Sequence, residues 1–342
     1  MGIFIPEYVP LMDQIVCSTG SASGFLSSLD WASTSFIALV VSVFFIAFFY
    51  LLATFFQNQQ MIAFIKMEFY EVIISIVILV VIYMLLNGAC STKTGAIFPE
   101  VESKFYDKTI YYSATNLLTD FSDYTLIIMN IQYILYVYID YVTSEEIYST
   151  PAGVGATLKP TLGLGAAIKP VLNNAFTAEI IGVITTYAQA YVIDYGTYGL
   201  LKYFLPFALI LRCFTLTRRI GGTIIAIVLV FLFIYPLLII PTYTVVNVSL
   251  RNSIDYFKTA WGADVFNPLT PIVTVVEILI RFLWGPETIM FFSLMVMPAI
   301  AKIFIGAVFI PLFNTLIIIT LTRYLSKSLG EEIDITNLTR MI

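Results

Sequence analysis

Residues Ala32–Phe56 run for 25 positions without one charged side chain. A helix needs roughly 20 apolar residues to cross the hydrocarbon of a bilayer, and an amphipathic soluble helix would carry a polar face. Trp31 at the entry and Tyr50 near the exit suit the headgroup region. The whole chain agrees: 59% of its 342 residues are apolar and 11% charged, against roughly 25% charged in soluble domains. Length alone suggests about two soluble domains, but a soluble surface so poor in charge would aggregate. In lipid every backbone polar group must be satisfied within its own helix. The expected fold class is all-α, a polytopic helical membrane protein with about five spanning helices plus amphipathic and re-entrant helices.

The second span is read at Glu71–Leu86, begun by the mixed stretch Met61–Tyr70, the third around Tyr198–Arg212, interrupted by Pro206, and the fourth at Ile220–Pro241. Ile272–Trp284 has only 13 residues and reads as re-entrant, whereas Thr288–Leu321 is one tilted helix or two segments broken near Pro298 and Pro311. Basic residues in short loops mark the cytoplasmic side. Lys66, the group Arg212, Arg218 and Arg219, and the group Arg323, Lys327 and Arg340 fall on one side if five helices cross. The N-terminus is then outside and the C-terminus cytoplasmic, in the plasma membrane. Five regions follow: an external segment 1–30, two spans in 31–88, an external Tyr-rich region 89–197, membrane helices in 198–324 and an inner tail 325–342. The first basic residue is Lys66, so no secretory leader is expected.

Phe105–Tyr148 holds nine tyrosines, and the spacing of Ile127, Ile131, Ile134 and Tyr138 predicts amphipathic helices. They read as helices packed on the spanning core near the headgroups, or as a vestibule or subunit interface. The Gly/Ala/Pro-rich stretch Thr150–Pro170 contains a near-repeat around Lys159 and Lys169; it reads as a small-residue packing surface or a flexible connector. Cys17 and Cys90 share the outer side in this topology, so either they form a disulfide or all three cysteines, Cys213 included, are unpaired small hydrophobes. Asn247-Val248-Ser249 is a glycosylation sequon on the outer side.

Ionisable groups within or beside the spans are Glu179, Asp194, Lys202, Glu277, Arg281 and Lys302. Such groups face protein or water, and Glu277 with Arg281, spaced i,i+4, reads first as a self-satisfied pair. The chain has no histidine, which removes His-based metal sites and Ser-His-Asp chemistry. No CxxC pair or GxxxxGK[ST] loop is present. No catalytic residue, cofactor or metal is therefore expected, and ATP-driven work would need another subunit. With 17 basic against 22 acidic residues the net charge is −5, which excludes a globally basic nucleic-acid binder.

Two stretches are more specific than composition. One is Leu205-Pro206, Leu211-Arg212, Thr217-Arg218-Arg219-Ile220-Gly221-Gly222, Ile224, Ala226 and Tyr235-Pro236-Leu237. The other is Phe313-Asn314, Thr322-Arg323, Leu325-Ser326-Lys327 and Leu329-Gly330-Glu331-Glu332. This arrangement resembles the TrbL-like polytopic inner-membrane component of type IV secretion (conjugation) systems and its archaeal DNA-import (Ced) relatives. The resemblance covers about residues 30–330 in organisation, but only these two stretches in local sequence. It implies a channel or scaffold subunit, homo-oligomeric, working with pilin-like small membrane subunits and a hexameric ATPase to pass DNA. Physically, Arg218 and Arg219 would anchor a span at the inner headgroups, Gly221-Gly222 would admit another backbone and Pro236 would kink or end the helix. Lys159 and Lys169 are a thin footprint for phosphates in a pore or external loop. The alternative reading is a self-contained small-solute or ion transporter; an intramembrane enzyme ranks below both. Abundant Ile, Tyr and Phe fit a thermophilic, archaeal source.

Overall fold

The computed structural model describes residues 9–17, 30–57, 59–144, 147–149, 156–158, 162–214, 217–261 and 297–329. Five helices among them are long and apolar enough to cross a membrane: Trp31–Phe55, Gln59–Ser91, Ile168–Arg212, Arg218–Asp255 and Met297–Ser328. The chain is an all-α polytopic helical protein, and the five helices fit a multi-pass membrane protein. The sheet among the described residues is one antiparallel pair, β1 (Ile147–Ser149) with β2 (Ala156–Leu158), Tyr148 opposite Thr157.

The third apolar helix, Ile168–Arg212, starts some 30 residues before the span read around Tyr198–Arg212. Glu179, Asp194 and Lys202 break up its hydropathy, yet Glu179 and Asp194 are buried rather than wet. Residues Leu162–Pro170 of the Gly/Ala/Pro stretch are helical, with Pro170 inside the helix. The fourth helix continues well past Pro241, and Met297–Ser328 runs unbroken across Pro311. The proposed re-entrant stretch 272–284 lies outside the described residues.

The chain divides into two compact units, Met1–Glu7, Leu117–Gln189 and Thr242–Pro311 in the first, and Tyr8–Asn116, Ala190–Pro241 and Leu312–Ile342 in the second. In the second unit, α1 (Asp30–Phe55) and α2 (Gln59–Ser91) form a hairpin whose buried stripes recur at helical spacing: Trp31, Ser35, Ser42, Ile46 and Ala53 on α1, Ile65, Glu68, Val72, Ser75, Ile82 and Leu86 on α2. Small and polar groups face inward while Phe36, Phe44, Leu51, Val77 and Met84 are exposed, the arrangement expected where the surroundings are as apolar as the core. Ser42 and Ser75 donate to Ala38 O and Glu71 O, satisfying their hydroxyls within the helix. The turn uses Gln57 at φ 50°, a left-handed conformation uncommon for a non-glycine residue.

In the first unit, the C-terminal part of α5 (Ile110–Ser144), α6 (Leu162–Tyr191) and α10 (Tyr235–Trp261) contribute a core around Phe121, Ile128, Leu172, Tyr243 and Leu250. The Phe121 and Tyr243 rings meet edge-on at 5.4 Å, and Gln132 Nε2 donates to Leu172 O at 2.9 Å.

Prolines shape the long helices through one recurring device. The N–H of the residue before Pro206, Pro236 and Pro311 donates five residues back, Leu205 to Leu200 O, Tyr235 to Val230 O and Ile310 to Ile305 O. Each is a single π turn, a common inclusion at strained points of a helix. Proline then has no N–H to give, so the carbonyls that follow lose their helical donor. Tyrosine hydroxyls supply it twice: Tyr111 Oη donates to Leu232 O at 2.9 Å in the second unit, and Tyr243 Oη to Gly306 O at 3.1 Å in the first.

Candidate functional site

The arginine–glycine motif forms the turn between α8 (Leu205–Arg212) and α9 (Arg218–Leu229). Thr217 closes it by donating Oγ1 to Leu211 O at 2.7 Å, and the Gly221 N–H returns to Thr217 O at 3.0 Å. Gly221 is where the two helices touch: a Cβ there would lie 2.6 Å from Arg212 N and 2.7 Å from Ala208 O, far inside contact distance. Gly222 is buried beside it, and Arg212 is buried at the end of α8.

Arg218 is paired within the protein. Its guanidinium meets Glu68 at 3.2 Å and Glu71 at 3.4 Å, both on α2, and Glu68 is almost fully buried. A charge held so low in the helix packing needs a partner, and one arginine fork serves two carboxylates. Arg219 points its exposed side chain elsewhere. Nothing in the sequence spacing linked Glu68 and Glu71 to Arg218, about 150 residues away; the signal was a pair of carboxylates in a largely apolar helix that also carries Lys66. Cys213 lies buried in the same hairpin contact, with Ile46, Ala53, Ile65 and Val72, its thiol donating to Leu209 O.

At the other end of α2, Cys90 is disulfide-bonded to Cys17. The short π-helical segment Met12–Cys17 is thereby fastened, and two further contacts hold it: the Leu11 N–H donates to Asp194 Oδ1, and Thr109 Oγ1 donates to the Asp13 carboxylate at 2.6 and 2.7 Å. Burial pushes the Asp13 carboxyl up from its ordinary 3.8, with the Thr109 hydrogen bond and Lys108 opposing. Glu68 and Cys90 are 22 residues apart on one helix, roughly 33 Å, close to the thickness of a bilayer's hydrocarbon.

The sequon reading of Asn247 is corrected. Asn247 is buried in mid-helix, with Nδ2 donating to Leu117 O at 2.8 Å; a glycan acceptor must be exposed. Pro236 is buried and belongs to the π-turn device above. Lys169 lies on α6, its charge paired with Asp140 at 2.6 Å. Lys159, Glu277 and Arg281 lie outside the described residues.

Polar groups do gather inside the first unit. Lys302 Nζ reaches Ser253 Oγ at 3.1 Å and Ser249 O at 3.4 Å. Gln189 Nε2 donates to Tyr243 Oη at 3.2 Å. Glu179 is fully buried on α6. In the second unit Asn314, a residue of the family-like stretch, is buried on the last helix. Among the described residues no cluster of three or more His, Cys, Asp or Glu side chains is placed to hold a metal. The described arrangement is a set of helices braced by buried polar contacts. No family model matches this chain, and no curated protein or solved structure matches it.

Proposed function

We propose that this chain is a membrane-embedded channel or scaffold subunit of a type IV secretion-like machine that passes DNA, energised by separate ATPase subunits. One observation carries the reading beyond the resemblance. The apolar helices are longer than a crossing needs: Ile168–Arg212 has 45 residues and Arg218–Asp255 has 38, where roughly 20 suffice. A small-solute carrier has little use for such overhang, whereas an assembly subunit needs helical surface beyond the membrane for its neighbours. Those neighbours would be further copies of the chain, pilin-like small membrane subunits and a hexameric ATPase. The orientation that goes with this places the N-terminus outside and the C-terminus in the cytoplasm. A disulfide at Cys90 favours an oxidising outer side, and the arginine turn marks the inner one.

A self-contained small-solute or ion transporter is the second reading, favoured by the proline-interrupted helices and by Lys302 and Glu179 in the interior of one unit. Native mass and particle imaging after gentle extraction from source membranes separate the two. A ring, or a complex retaining an ATPase and DNA, supports the machine. A lone monomer that takes up a small solute in liposomes overturns it.

A further inference from the structure

We propose that Glu179 is a proton-binding site embedded in the membrane-spanning part of the chain. Its position is fixed by a stripe of buried residues at helical spacing on α6: Leu172, Ala175, Glu179, Gly182, Thr186 and Gln189. The carboxyl is in the middle of that stripe. One turn further on, Gly182 presses against the helix Met297–Phe304 and its continuation, where a Cβ would come within 2.8 Å of Ala307 Cβ. This face is therefore closed over by protein and not by water.

Both Glu179 oxygens are buried and neither has a hydrogen-bond partner. The described basic groups of the same unit are all engaged elsewhere: Lys169 with Asp140, Arg251 with Asp255 at 3.9 Å, and Lys302 with Ser249 and Ser253. The other charged side chains described on the helices of this unit, Asp120, Asp123, Asp140 and Asp255, are themselves acidic. Among the described residues no counter-charge is placed on Glu179. An ionised carboxylate buried without partner or hydrogen bond carries a desolvation penalty of several kcal/mol, and holding a proton removes it. The site goes beyond the conduit reading because it holds whether or not the chain passes DNA.

The test uses the full chain in liposomes and dicyclohexylcarbodiimide, an apolar reagent that adds to a neutral carboxylic acid and rearranges to a stable N-acylurea. Peptide mass spectrometry reads the product. The expected result is modification of Glu179 at neutral pH, falling about tenfold for each pH unit above the protonation midpoint. A Glu179 that stays unmodified in the folded chain at neutral and mildly acidic pH overturns the proposal. So does modification suppressed by sodium at constant pH, which makes the occupant a metal cation. Infrared difference spectra of Glu179→Gln give an independent reading: loss of a neutral carboxyl C=O band supports the site, and loss of carboxylate bands refutes it.

Discussion

Gly182 and Ala307 give a sharp test of the packing in the first unit. A Cβ at position 182 would stand 2.8 Å from Ala307 Cβ, about 0.6 Å inside the closest ordinary carbon–carbon contact. Gly182→Ala alone combines two opposed effects: a gain of about 1 kcal/mol in helix propensity and an overpacking cost of about 1–3 kcal/mol. The net can fall near zero, so the single variant decides little. A double-mutant cycle with Ala307→Gly cancels the propensity terms, because each appears in a single variant and again in the double. What remains is the contact itself. The expected coupling is about 1–2 kcal/mol in favour of the double variant, measured by denaturant unfolding of all four proteins in one fixed micelle composition. Additive effects, with coupling below about 0.5 kcal/mol, refute the close approach of these two helices. Gly221 supplies the contrast. Its neighbours are the backbone atoms Arg212 N and Ala208 O, so no side-chain truncation relieves Gly221→Ala.

Tyr111→Phe leaves Leu232 O without its hydroxyl and costs about 1–2 kcal/mol; in a Pro236→Ala background a backbone N–H returns, and the penalty shrinks if the proline account is right. Arg218→Met takes the arginine from the buried Glu68 and costs about 3 kcal/mol, a loss that Glu68→Gln with Glu71→Gln restores in large part; equal destabilisation in both backgrounds counts against the clamp. Cys17 and Cys90 are 73 residues apart, so replacing both by serine removes a constraint of up to about 4.5 kcal/mol and opens residues 9–17 to protease, whereas an unchanged unfolding midpoint and digest rule that out. Asp13 is raised by burial, so its contribution is fully present below 3.8 and is lost as pH rises through the raised folded value. Protection of residues 9–17 from protease should weaken on going from acid to neutral pH, and Asp13→Asn should remove that dependence.

The fold class was legible because a spanning helix writes itself as length plus absence of charge, as at Ala32–Phe56. Ile168–Arg212 was truncated in the reading because Glu179 and Asp194 look like water-facing residues to any local measure. Only the packed chain reveals that they point inward. Position and neighbourhood fail for a different reason. Arg218 was found in its turn, but its partners Glu68 and Glu71 belong to a helix 150 residues earlier, and no periodicity connects them. Asn247 misled because a three-residue sequon carries no information about burial. The prolines at 206, 236 and 311 read as interruptions, but that 236 and 311 release carbonyls which Tyr111 and Tyr243 take up depends on which tyrosine lies opposite.

The two fastenings on α2 also set an order of assembly. Cys17 and Cys90 are both made within the first 90 residues, while Arg218 follows 128 residues later, about 6–26 s at ordinary rates of synthesis. The disulfide can therefore close around the first hairpin while the ribosome is still far from the arginine turn. The Arg218 contacts of Glu68 and Glu71 form only once α9 has been made. A nascent chain stopped before residue 218 should already be oxidised, and should take up the missing turn when that segment is supplied in trans.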